Sequence, residues 1–189
     1  MDRFLYSVFL ILITAAGTKA QPQAFNNKAF IEWNEFYDLR WEDFQGKPGD
    51  DVAGDAGTSV QIKAKPYLVK KKVKYDVYVL FNKDKSWSRD KSIQLLAHEQ
   101  LHFDLAEVYA RRIRKQVREL NEKDIEDVNV YNEAIQKILE ESNEADRLYD
   151  IETLHGVMDK KQAEWTKKIQ GELVSLKSYK KHKRVITAG

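Results

Sequence analysis

The chain has 189 residues, a net charge of +2 and 33% charged residues, enough length for one domain with a sizeable core. So balanced a charge is not the footprint of a nucleic-acid binder. Cysteine is absent, which excludes a disulfide framework and a thiolate metal site and leaves histidine and carboxylate to hold any metal.

At the N-terminus, Met1-Asp2-Arg3 carries one basic residue, Phe4 to Gly17 is largely apolar and uncharged, and Thr18 and Ala20 supply small residues. This is the pattern of a secretory signal peptide. The apolar run falls short of the roughly 20 residues a spanning helix needs. The expectation is a signal peptide over 1–20 and a mature chain from near Gln21, exported to the periplasm or the medium without stable membrane insertion. A single domain over 21–180 and a basic tail over 181–189 would follow.

Phe25 to Phe44 is rich in aromatics and is expected to pack against the core, and the Gly- and Asp-rich stretch 46–57 reads as a loop. Thr58, Val60 and Ile62 alternate with polar residues, as do Val73, Tyr75, Val77, Val79 and Phe81, which predicts two strands. Pro66 lies between the two runs, so a hairpin is expected, with Lys70 to Lys72 at its turn. From Lys91 the period becomes helical: Ile93, Leu96, Leu101, Leu105, Val108, Ile113, Val117 and Leu120 predict one helix over about 91–120. Asp90 serves as N-cap and Asn121 as stop. A second helical stretch is expected from about Val130 to Ser178, weakening over 140–147. Its inner side would carry Tyr131, Ile135, Ile138, Leu148, Glu152, His155, Trp165, Ile169, Leu173 and Leu176. The fold class is α+β: a small antiparallel sheet, a long helix, and a helical segment returning antiparallel.

The chemistry lies in His98-Glu99-Gln100-Leu101-His102. Residues four apart on a helix share a face, so the two imidazoles can bind one zinc ion. In this HExxH arrangement the adjacent Glu99 is the general base toward a zinc-activated water. A catalytic zinc needs a third protein ligand. From His102 the helix runs 18 residues to about 120, roughly 27 Å, so an antiparallel return comes level with the pair near residue 148. The candidates there are Asp146, Asp150, Glu152 and His155. His155 is preferred, because imidazole suits zinc and Gly156 beside it suits a close backbone approach; Glu152 comes next and Asp150 third. Either carboxylate could instead orient a ligand histidine through its second ring nitrogen, and so could Asp104. Tyr149 is a candidate hydrogen-bond donor to a developing oxyanion.

Three further segments join the motif: Leu39-Arg40-Trp41-Glu42-Asp43-Phe44-Gln45-Gly46-Lys47-Pro48, Ser86-Trp87, and Tyr149-Asp150-Ile151-Glu152-Thr153-Leu154-His155-Gly156 with Gln162 and Trp165. With Leu96 to Glu107 and Tyr109-Ala110-Arg111, they resemble the bacterial exported proteins classed as domain of unknown function 922, a family read as zinc-dependent proteases. The resemblance implies a zincin-like fold and the metal-binding pair His98 and His102, and it draws attention to Asp150, Thr153 and His155. The expected activity is that of an exported zinc metallopeptidase acting on a peptide or protein substrate. The alternatives are a non-catalytic zinc-containing envelope module and a zinc amidohydrolase acting on a cell-wall amide. An intact Glu99 favours catalysis, since a purely structural site needs no base.

Overall fold

The computed structural model describes residues 28–49, 54–70 and 72–181. The signal-peptide expectation for 1–20, and the tail beyond Lys181, lie outside the described residues. Among the described residues no helix is long and apolar enough to cross a membrane.

The chain is α+β. Strand β1 (Phe30–Glu32) is followed by a 3-10 turn (Trp41–Asp43), then by β2 (Ala56–Gly57), β3 (Val60–Val69), β4 (Lys72–Asn82) and β5 (Trp87–Ser88). Three helices follow, α1 (Ile93–Glu122), α2 (Val128–Thr153) and α3 (Asp159–Ser175), with a closing 3-10 turn at Lys177–Tyr179. The main sheet has the order β1-β4-β3, antiparallel throughout, and β2 pairs with β5 in a separate two-stranded ribbon.

The expected hairpin is β3–β4, and its turn falls between Val69 and Lys72, where the lysine run was expected to place it. Pro66 is inside β3, opposite Tyr75. It is tolerated there because β3 is an edge strand, where a missing N–H need not break a ladder on both sides. Strand β4 is central, and Val73, Val77, Val79 and Phe81 turn one face inward. That face packs on Phe103, Ala106, Ala110, Ile113 and Val117 of α1 and on Tyr131, Ile135 and Leu139 of α2. A second core joins Leu101, Leu105, Val108 and Tyr109 of α1 to Tyr149, Trp165 and Ile169. Helix α1 is therefore covered by the sheet on one side and by α2 and α3 on the other.

Helix α1 starts at Ser92, whose hydroxyl accepts from the Leu95 N–H at 3.3 Å, while Asp90 accepts from the Ser92 N–H at 3.3 Å. Asp90 thus supports the cap and Ser92 is the cap. Midway along α1, Glu107 accepts from Arg111 Nε at 2.9 Å and from Arg114 at 2.9 Å, and Arg114 also donates to the Val77 carbonyl at 3.0 Å. Arg111 reaches the Leu173 carbonyl in addition. This buried network fixes α1 to β4 and to α3, and removing Glu107 would leave the buried Arg111 charge unpaired, a loss of about 3–5 kcal/mol.

The second helical stretch differs from its expected course. The polar segment 140–147 is unbroken helix, and the break falls at Leu154–Met158, separating α2 from α3. The inner stripe of α2 is Tyr131, Ile135, Leu139, Ser142, Asp146, Tyr149 and Thr153. Leu148 is exposed and Glu152 only half-buried, contrary to the expected inner face. Of the N-terminal aromatics, Trp33, Tyr37 and Phe44 pack on the core as expected, whereas Phe36 is exposed.

Candidate metal centre

One turn of α1 separates His98 from His102, and both rings are buried. The antiparallel return of α2 brings Asp146, Tyr149 and Asp150 opposite them. Asp150 Oδ1 lies 3.2 Å from His98 Nε2 and 3.0 Å from His102 Nε2, and the two Nε2 atoms are 3.2 Å apart. Three potential donors thus form a nearly equilateral triangle.

The far side of each ring sets its tautomer. His102 Nδ1 faces Asp146 Oδ1 at 2.7 Å, and His98 Nδ1 faces Gln162 Oε1 at 3.3 Å. Both Nδ1 atoms therefore carry the hydrogen, and both Nε2 lone pairs point into the triangle. Tyr149 stacks on His98 at 4.7 Å between ring centroids and meets His102 edge-on at 4.9 Å. Its hydroxyl donates to Gln162 Oε1 at 2.8 Å, with the His98 carbonyl also near, at 3.2 Å.

Lone pairs and a carboxylate gathered this closely repel unless a cation sits among them. Without a metal that cation is a proton. Burial opposes charge on His102, but the carboxylates of Asp146 and Asp150 outweigh it and raise the pKa well above the usual histidine range. Burial likewise favours a neutral Asp150, yet the adjoining imidazoles, His102 foremost, hold its carboxyl far below the ordinary range. Burial, offset in part by the Gln162 hydrogen bond, keeps the Tyr149 phenol protonated at any ordinary pH.

Glu99 is buried beside the triangle, and its carboxylate has no hydrogen-bond or ion-pair partner among the described residues. With His98, His102 and Asp150 it lines a cleft of about 280 Å³. The stretch Gly54 to Thr58 also lines that cleft, as do Leu95, Leu154, His155 and Val157.

The remaining expected site residues fall elsewhere. His155 lies past the end of α2 with its side chain 65% exposed, and its Nδ1 is 3.5 Å from Asp150 Oδ1. The ligand atoms of His98, Asp150 and His155 all lie within 4.8 Å of one another, a looser group than the triangle, with His155 on its outer rim. Glu152 turns away from the cleft and accepts from Trp165 Nε1 at 3.0 Å. Tyr149 does not reach the cleft as an oxyanion donor, because its ring is fully buried and its hydroxyl engaged behind His98. Asp104 is tied to the N-terminal segment, accepting from Trp33 Nε1 at 2.8 Å and from Gln100 at 2.9 Å. Asp146 and Gln162 orient the two histidines. Gln162 had no role in the reading of spacing, and its only signal was its place beside Trp165 in the resemblance.

The turn after α2 holds this arrangement in place. Leu154, His155 and Gly156 have φ of 48°, 54° and 87°, three successive left-handed residues. Such conformations cost about 1 kcal/mol or more at a non-glycine residue. They are fixed by Met158 N–H to the Thr153 carbonyl at 2.8 Å and by Gly156 N–H to Thr153 Oγ1 at 3.3 Å. A Cβ on Gly156 would stand 2.9 Å from His98 Cβ and 3.0 Å from its Cγ. Glycine is thus required both for its backbone and for contact with His98, at a helix break and not within a helix.

Residues 72–156 match the family model described as a bacterial protein of unknown function, DUF922. The match supports the assignment of the chain to this family. The matched DUF922 segment opens at the start of β4 and closes on Gly156, so it contains the triangle, Glu99, Asp146 and the left-handed turn. Gln162 and the Gly54–Thr58 stretch lie outside it. No curated protein and no solved structure matches the chain.

Proposed function

We propose that this DUF922 protein is an exported zinc-dependent metallopeptidase with a zincin-like site, in which His98, His102 and Asp150 hold the metal and Glu99 is the general base. The observation that carries this reading is the triangle of donors at 3.0–3.2 Å beside a buried carboxylate with no partner. Zinc bonds of 2.0–2.1 Å in a tetrahedral site require ligand atoms about 3.3 Å apart, close to what the side chains already present. The donor set of two imidazoles and one carboxylate leaves room for a further position, as a catalytic zinc needs.

When bound, zinc supplies Lewis acidity toward a carbonyl and lowers the pKa of water. The chain's own residues do the rest. Asp146 and Gln162 keep the imidazoles in the tautomer that offers Nε2. Asp150 contributes negative charge on the open side. Glu99, free of other partners, accepts the proton of the attacking water and passes it to the leaving amine. Asp150 takes precedence over His155 as third ligand because it stands on the face of α2 turned to α1, while His155 extends from the turn toward solvent.

The test is Glu99→Gln in the purified mature protein, with metal content measured beside hydrolysis of a peptide mixture. Zinc stoichiometry should stay near that of the unaltered protein, while turnover falls about 10²–10⁴-fold. Full turnover in the variant, or no zinc uptake by the unaltered protein, would overturn the proposal.

A further inference from the structure

The cleft is lined by two unlike groups of residues. Gly54, Ala56 and Gly57 contribute almost no side chain, and Gly57 is held small because a Cβ there would lie 2.9 Å from the Trp87 indole nitrogen. The other group is aliphatic. Leu154 is 56% exposed and Val157 75% exposed, and both line the cleft with half-buried Leu95. Ile151 and Met158, adjoining in the chain, are also exposed. Exposed apolar surface of this kind marks a binding surface when it is contiguous with a site.

Two features make the placement more than a chance exposure. Leu154 is held in left-handed backbone, and its turn is locked onto His98 through Gly156. The aliphatic lip is therefore fixed in position relative to the triangle. Among the described residues the lining carries the carboxylates of Asp55, Glu99 and Asp150, with neither lysine nor arginine. An aliphatic side chain would find matching apolar surface at Leu154 and Val157.

On the metallopeptidase reading above, we propose that Leu95, Leu154 and Val157 form a specificity wall selecting peptides with a bulky aliphatic side chain beside the bond to be cut. A side chain seated there covers the exposed lip, and the small Gly54, Ala56 and Gly57 in the same cleft leave room for the peptide backbone.

The experiment measures zinc-loaded Glu99→Gln protein binding three peptide hydroxamates, which chelate zinc and differ only in carrying alanine, leucine or aspartate beside the hydroxamate. The leucine probe should bind at least about tenfold more tightly than the alanine probe, the range that added methylenes in an apolar pocket produce, and the aspartate probe should bind weakest. In protein also carrying Leu154→Asn and Val157→Ser, the leucine advantage should fall to within about twofold, with zinc content and alanine-probe affinity unchanged. Asparagine is chosen because it tolerates left-handed backbone. Equal binding of leucine and alanine probes, or leucine preference surviving in the altered protein, would overturn the wall while leaving the metal site standing. Failure to take up zinc would overturn the metallopeptidase reading itself, and this inference with it.

Discussion

The decisive contacts are those made by the second nitrogen of each histidine. His102 Nδ1 against Asp146 at 2.7 Å is the shorter of the two, so His102 is the more firmly oriented ring. Asp146→Asn should lower zinc affinity about 10–100-fold, as loss of such an orienting carboxylate does. Asp150→Ala should lower it further, because a proposed ligand is lost, whereas His155→Ala should change it by less than tenfold. Competition against a chromogenic chelator measures all three variants. Loss of zinc in His155→Ala with retention in Asp150→Ala would reverse the ligand assignment in favour of His155.

Among the elements, helix α2 shows what the sequence made legible and what it concealed. The antiparallel return and its level with the histidine pair follow from helix rise and the length of α1, and the structure places Asp146 and Asp150 there. The phase of the inner stripe did not follow from hydrophobicity. Steps of three and four from Tyr131, Ile135 and Leu139 lead to Ser142, Asp146, Tyr149 and Thr153, so the stripe turns polar where it meets the site. Apolar Leu148 drew the trace off by one position and carried it to Glu152 and His155. The helix break was hidden for a similar reason: Gly156 is one residue in a helix-compatible run, and its need for left-handed backbone depends on contact with His98. The α2–β4 junction offers a separate test. Tyr75 donates to Asn132 Oδ1 at 2.7 Å, and burial, reinforced by neighbouring Tyr131, pushes its phenol up to about 12. A raised phenol favours the neutral form in the fold, so its contribution is complete below the ordinary tyrosine value of about 10 and declines as pH rises toward 12. Tyr75→Phe should cost about 1 kcal/mol at neutral pH through the lost hydrogen bond. Its stability should also fall less steeply than that of the unaltered protein above pH 10, as denaturant titrations at several pH values would show.

At the scale of the whole molecule, two apolar cores already join the sheet to α1, α2 and α3. The fold is therefore expected to form without a metal, unlike a small domain organised around zinc. Chelation should leave a cooperative unfolding transition in place and lower its midpoint. Zinc at a hundredfold excess over Kd is worth about 2.7 kcal/mol, or about 5–10 °C for a domain of this size, which calorimetry with and without chelator would measure. A loss of all helical signal on chelation would refute this. The ligands also occupy a particular place in the chain. They lie on α1 and α2, far from the short connection at 123–127 that joins those helices. A metal there would act as a staple, turning the chain between positions 102 and 150 into a closed ring. A protease cut in the connection would open the ring without releasing the pieces, and the nicked protein would come apart faster in chelator than in zinc.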